Sequence, residues 1–255
     1  NILESMRYFA KITTTFALVL VFSAGMAFGQ SNNNAEIDQT GDDNSAEVEQ
    51  GGNSVADLRQ AGDLNDINLA QEGFGLAGQD TKIDQVGNRN EVDVTSSSGN
   101  GLQGNGNELD ILQRGNQNTF ETPTMQGFNN DYDVEQVGNK NYANIETRYG
   151  AGGQVGESTI NIIQKFGNRN SGTISATSGG NNHVLEIKQK FGSSNVASIT
   201  HQLPTEEESG VDGIVGRVTQ FGNNNFASVD LFSKTSDRAV ITQNGNSNYA
   251  TVEHN

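Results

Sequence analysis

Acid–base or metal chemistry in this 255-residue chain would fall to three histidines, His183, His201 and His254, and to 31 carboxylates; cysteine is absent. The histidines are scattered, and none lies beside a serine motif that it could activate. Asp42-Asp43 and Glu206-Glu207-Glu208 could attract a cation, but tandem GGxGxD, which calcium solenoids need, is missing. The acidic run therefore reads as a solvated loop. No catalytic, cofactor-binding or metal-ligating residue is expected, and the chain is not expected to be an enzyme. The chemistry that does recur is that of the amide. QVGNRN (85–90), QVGNKN (136–141) and QFGNNN (220–225) are near copies, and recurrence at such intervals signals a repeat architecture.

Aligned on glycine and on the asparagine three residues later, nine units appear, 21 to 30 residues apart. The turn glycines are Gly41, Gly62, Gly87, Gly115, Gly138, Gly167, Gly192, Gly222 and Gly245. The asparagines are Asn44, Asn65, Asn90, Asn118, Asn141, Asn170, Asn195, Asn225 and Asn248. Gln39, Gln60, Gln85, Gln113, Gln136, Gln220 and Gln243 precede the glycine by two. In two units Lys165 and Lys190 hold that place, with Gln164 and Gln189 one residue earlier and in phase with Ile160, Ile162, Leu185 and Ile187. One extra residue there reads as a β-bulge that keeps glutamine inside and turns lysine outward.

The elements that must position these amides follow from the flanks. Apolar residues alternate before the glutamine (Ile37, Leu58, Ile83, Ile111) and after the asparagine (Ile67 and Leu69, Val92 and Val94). Period two over short stretches is a strand signal. G-x-x-N supplies residues tolerant of positive φ for a tight turn. Each unit is thus strand, turn, strand, and such a hairpin cannot bury its apolar face alone. Stacking in register, about 4.8 Å per rung, predicts an all-β solenoid of about nine rungs and about 40 Å. The interior is expected to be thin, with one apolar row from each strand. Stacked glutamines and asparagines then form ladders, each amide donating one way and accepting the other.

AEIDQTGDDNSAEVEQ (35–50) resembles the curlin repeat, the unit of bacterial curli amyloid fibres. Gln39, Gly41, Asn44, Ala46 and Gln50 match it position by position, and Ser54, Gln60, Gly62, Asn65 and Gln71 match in the second unit. The second glutamine place later holds Ser96, Thr124, Thr147, Ala176, His201, Leu231 and His254, so the two histidines read as ladder substitutes. The resemblance implies a secreted subunit that polymerises outside a Gram-negative cell into biofilm matrix fibres. It implies a nucleator or companion curlin subunit, an outer-membrane secretion pore and periplasmic chaperones as partners, and itself as the main one. A monomeric cell-surface adhesin binding ligands through its inter-repeat loops is the second reading.

Three further expectations come from composition. Residues 1–29 have the order of a secretory signal peptide, with Met6 as the start: Arg7 and Lys11, an apolar run from Phe16 to Phe22, then small residues. A short leader (30–34) and the repeat domain (35–255) follow. A net charge of −16 argues against nucleic acid and anionic membranes as partners, and no later segment is apolar enough for membrane insertion. Acidic residues at outward strand positions, among them Asp38, Glu47, Glu49, Asp57, Asp84, Asp93, Asp133 and Glu135, are expected to stack like on like and slow premature assembly. The variable links between units (72–78, 96–106, 123–129, 148–156 and 203–213) should all lie on one edge.

Overall fold

The computed structural model describes residues 33–51, 54–72, 79–94, 108–124, 130–148, 158–177, 181–202, 212–231 and 237–254. The signal-peptide expectation and most of the variable links fall outside them. Strands alternate with short fixed turns: β1 (Asn34–Thr40) and β2 (Ser45–Gly51), β3 (Ser54–Ala61) and β4 (Asp66–Glu72), β5 (Gln79–Val86) and β6 (Glu91–Val94). Then come β7 (Glu108–Arg114) and β8 (Thr119–Thr124), the two-residue β9 (Asn130–Asp131), β10 (Val134–Asn139) and β11 (Tyr142–Arg148). The last are β12 (Ser158–Asn168) and β13 (Ser171–Thr177), β14 (Asn181–Lys190) and β15 (Val196–Gln202), β16 (Asp212–Phe221) and β17 (Phe226–Leu231), β18 (Arg238–Asn244) and β19 (Tyr249–His254).

The strand before each turn joins one sheet, β1-β3-β5-β7-β10-β12-β14-β16-β18, with β9 attached between β7 and β12. The strand after each turn joins the other, β2-β4-β6-β8-β11-β13-β15-β17-β19. All pairing is parallel and between like positions: Gln39 stands opposite Gln60, and Ala46 opposite Ile67. This is the β-solenoid that the repeats predict, with one correction. A unit is not a hydrogen-bonded hairpin, because its two strands face each other across the core as an arch. Their side chains, not their backbones, meet.

Alternation decides what the core contains. In β3 the buried residues are Ser54, Ala56, Leu58 and Gln60, and their neighbours are exposed. Many strands send in two apolar positions, such as Ala56 and Leu58 of β3, Ile67 and Leu69 of β4, and Leu109 and Ile111 of β7, where a single row was expected. Leu58, Ile83, Ile111, Val134, Ile162 and Ile187 continue one row of the first sheet, all at most 1% exposed. Phe120 and Tyr132 widen a core built chiefly of Ile, Leu, Val and Ala. Burying one such aliphatic side chain contributes about 1.5–3 kcal/mol, and stacking repeats that gain rung after rung. The apolar rows continue to both ends. Ile37 is 43% exposed at one end, while Ala250 and Val252 are only partly buried at the other.

Candidate functional site

Three ladders of polar side chains run along the stack, two inside and one at the turns. In the glutamine ladder, Gln39, Gln60, Gln85, Gln113, Gln136, Gln164, Gln189, Gln220 and Gln243 form one column. Each Nε2 donates to the next Oε1 at 2.6–3.1 Å. The second N–H of Gln60 goes to the Ser45 carbonyl at 2.8 Å, and that of Gln164 to the Tyr142 carbonyl at 2.9 Å. Both acceptors belong to the opposite sheet, so the column clamps the two layers together. Gln164 and Gln189 are fully buried. The extra residues of their units are Phe166 and Phe191, and the register shifts at that point. Lys165 is turned out, with Nζ 2.6 Å from Glu135.

The asparagine ladder runs from Asn44 to Asn248. Each backbone N–H after the first donates to the Oδ1 of the preceding asparagine at 3.0–3.1 Å. Each Nδ2 from Asn44 to Asn225 donates to the next unit's glycine carbonyl at 2.7–3.3 Å. A buried amide left without these partners would cost about 1–3 kcal/mol per group, so slippage of a strand by one residue is strongly disfavoured.

The glycines do more than turn the chain. A Cβ at Gly115 would overlap the carbonyl oxygen of Gly138, and the same clash recurs from Gly41 to Gly222. Gly167 and Gly192 show that close approach, not positive φ, is the shared requirement, since there φ is positive at Phe166 and Phe191 instead. The other left-handed residue is also not the expected one. The residue before the asparagine carries φ of 56–60°, from Asp43 and Leu64 to Asn224 and Ser247, while the asparagine itself does not.

The third ladder was missed in the sequence. The residue after each glycine is Asp42, Asp63, Asn88, Asn116, Asn139, Asn168, Ser193, Asn223 or Asn246. The N–H of each but the last donates to the side-chain oxygen of the next at 2.8–3.1 Å. The signal was present: a short side chain with an oxygen acceptor occupies that position in all nine units.

The outer faces bear out the expectation of like-on-like charge only in part. Asp38, Arg59 and Asp84 alternate in one column, as do Asp57, Lys82 and Asp110 in another. The Arg59–Asp84 pair is long, at 3.8 Å, and contributes little at an exposed site. Like charges do meet at Glu36 and Asp57, Asp66 and Glu91, Asp93 and Glu121, and Asp230 and Glu253, and also where Asp80, Glu108 and Asp131 stand in line. Beside them Asp133 is raised above the ordinary aspartate range by burial and then by Asp131, Asp110 and Glu135.

His201 and His254 both occupy the column that begins with Gln50. His201 is fully buried, and its Nδ1–H donates to the Leu231 carbonyl at 3.1 Å. Nδ1 of His254 lies 2.9 Å from Asp237. Burial lowers the His201 pKa, against the opposing pull of the Leu231 carbonyl, Asp237 and Asp230. A folded pKa below the unfolded value of about 6.5 gives stability that is present above that value and lost as pH falls through the lowered one. His201→Gln supplies the amide found at Gln50 and should remove that loss. Thermal melts between neutral and acid pH check it: the wild type should lose more stability than the variant on acidification. His183 falls in β14, and its side chain lies outside the description. Among the described residues no group of three or more His, Cys, Asp or Glu could hold a metal ion.

Geometry of this kind defines a parallel β-solenoid whose rungs are tied by amide ladders. Its first unit carries the more particular signature: residues 31–52 match the family model of the curlin associated repeat. That match supports assignment to the curlin-repeat family, and the other eight units repeat the same glutamine, glycine and asparagine columns. No curated protein and no solved structure matches the chain. Repeat and fold together suggest a curli-like structural subunit.

Proposed function

We propose that the chain is a secreted subunit that polymerises end to end into extracellular fibres of the curli type, serving matrix cohesion and adhesion. The observation that carries this is the polarity of the ladders. At the β18/β19 end, Gln243 has spent one amide N–H on the Phe226 carbonyl. Its other N–H finds no further glutamine among the described residues. The Asn246 backbone N–H and the Asn248 Oδ1 likewise have no following rung among the described residues. At the β1/β2 end the missing partners are the complements: the Gln39 Oε1, the Asp42 carboxylate and the Asn44 N–H. Each donor left over at either end, the Gln243 and Asn246 N–H groups on one side and the Asn44 N–H on the other, meets its acceptor only when copies join head to tail.

Continuing the register places Gln243 over Gln39, Ile241 over Ile37, Ala250 over Ala46 and Val252 over Val48. One like-charge pair, Glu253 over Glu49, opposes the joint. Export through an outer-membrane pore, chaperones that hold the chain unfolded, and a nucleating companion subunit belong to the same proposal.

Gly245→Ala tests it. Within one molecule its Cβ would meet only Asn248 Nδ2, at 3.5 Å. The cost there is local backbone strain at φ +112°, about 1–3 kcal/mol at a terminal rung. In a head-to-tail joint the same Cβ would overlap the Gly41 carbonyl of the next copy. Purified wild type should therefore give thioflavin-positive fibres with cross-β diffraction, and a folded Gly245→Ala chain should fail to elongate them. Equal growth of the variant, or a wild type that stays monomeric at all concentrations, would defeat the proposal.

A further inference from the structure

From the third unit to the sixth the turn edge differs in charge from the rest of this acidic molecule, whereas the first two units carry Asp42, Asp43 and Asp63 there. In the left-handed position before the asparagine stand Arg89, Gln117, Lys140 and Arg169 in successive units, with φ of 57–59°. The three cations are exposed, and none forms an ion pair with a described residue. At the same edge Phe166 and Phe191 are 63% and 64% exposed, their rings stacked 5.2 Å apart at 13°. Both are held at positive φ. A bulky residue there costs about 1–2 kcal/mol, and rings this exposed leave most of their apolar surface in water. Those costs recur in two adjacent units.

The outer face of the second sheet is the complement. It presents Glu47, Asp66, Glu91, Asp93 and Glu121 in its first rungs, and its described side chains include no lysine or arginine. Both surfaces repeat at the strand spacing of about 4.8 Å, so a row of cations and a row of carboxylates stay in step over several rungs. A partner with another repeat would fall out of step.

We propose that the turn edge is a docking surface for a second copy of this chain, seated side by side on the acidic outer face of that copy's second sheet. Edge and face are different surfaces, so the contact is heterologous and each copy keeps one of each unused. Such contacts propagate instead of closing, which yields bundles. The docking does not require end-to-end growth and holds for single molecules and fibres alike.

Salt separates this contact from simple polyanion binding. Net repulsion between two acidic bodies acts at long range and is screened beyond about 10 Å at 0.1 M salt, whereas pairs in contact survive until the screening length nears about 3 Å at 1 M. Lateral association should therefore rise from very low salt to about 0.1 M and then fall.

The test uses the full chain, with and without Gly245→Ala, followed by sedimentation and by electron microscopy of bundle width. R89Q/K140Q/R169Q places at each position the residue that the fold already holds at Gln117 and should weaken lateral association about tenfold or more. R89E/K140E/R169E and D66K/E91K should each fail alone, and their mixture should associate again. An effect that is the same in both backgrounds marks the edge contact, whatever Gly245→Ala does to elongation. Unchanged association of the triple glutamine variant, or no recovery in the mixture, would overturn the proposal. So would edge-dependent retention on immobilised polygalacturonate with no loss of self-association, which would make an anionic polymer the occupant.

Discussion

Gly115→Ala should cost about 4 kcal/mol or more and unfold the middle of the solenoid. Two causes add. The backbone at Gly115 has φ +119°, which an L side chain rarely adopts, and the new Cβ would overlap the Gly138 carbonyl oxygen. Neither can relax cheaply, because that carbonyl is itself fixed by the Asn118 amide at 2.9 Å. Losses this large are exceptional for a single substitution and arise from a short set of causes, backbone strain among them. A repeat stack couples each unit mainly to its neighbours. The damage should therefore appear first as lost hydrogen-exchange protection around residues 108–148, with a lower melting temperature overall. A variant that melts like the wild type would mean that the rungs do not approach as closely as described.

Asn118→Ala should cost about 3–6 kcal/mol. Asn118 is fully buried. Its Nδ2 donates to Asn90 Oδ1 at 3.1 Å and to the Gly138 carbonyl at 2.9 Å, and its Oδ1 accepts the Asn141 N–H at 3.0 Å. Alanine leaves the Gly138 carbonyl and the Asn141 N–H without these partners, at about 1–3 kcal/mol each, and adds a small void. Asn116 is the control two residues away. Its side chain is exposed and accepts one backbone N–H, that of Asn88, so water can replace it and Asn116→Ala should cost about 1 kcal/mol or less. Chemical denaturation of the two variants side by side reads the difference. Equal costs would remove the internal ladder as the source of register.

Most of this architecture was legible in the sequence because translation along the stack maps like residue onto like residue. Gln85 over Gln113 needs no knowledge of the path between them, and a fixed order of glutamine, glycine and asparagine is enough to set the columns. The bulges were also legible, since Ile162 and Gln164 keep the alternation that Lys165 breaks. What was hidden depends on backbone geometry that side-chain identity reports poorly. Leu64, Arg89 and Phe166 carry no hint that they adopt left-handed φ, because the constraint falls on the position and not on the residue type. The arch, as opposed to a hairpin, was hidden for a related reason. Alternating apolar residues mark two strands but do not say whether their backbones or their side chains meet. Charge was legible only in part: Asp93 and Glu121 do stack like on like, but Arg59 and Lys82 fall between aspartates in columns whose residues are 21 to 28 positions apart in the chain.

The in-register pairing has one more consequence, for descent. Neighbouring units are related by a shift along one axis, with no partner that must change in concert. A segment of 21 to 30 residues copied in tandem would therefore meet above and below it surfaces that already fit. A chain built this way can lengthen by duplication without redesign.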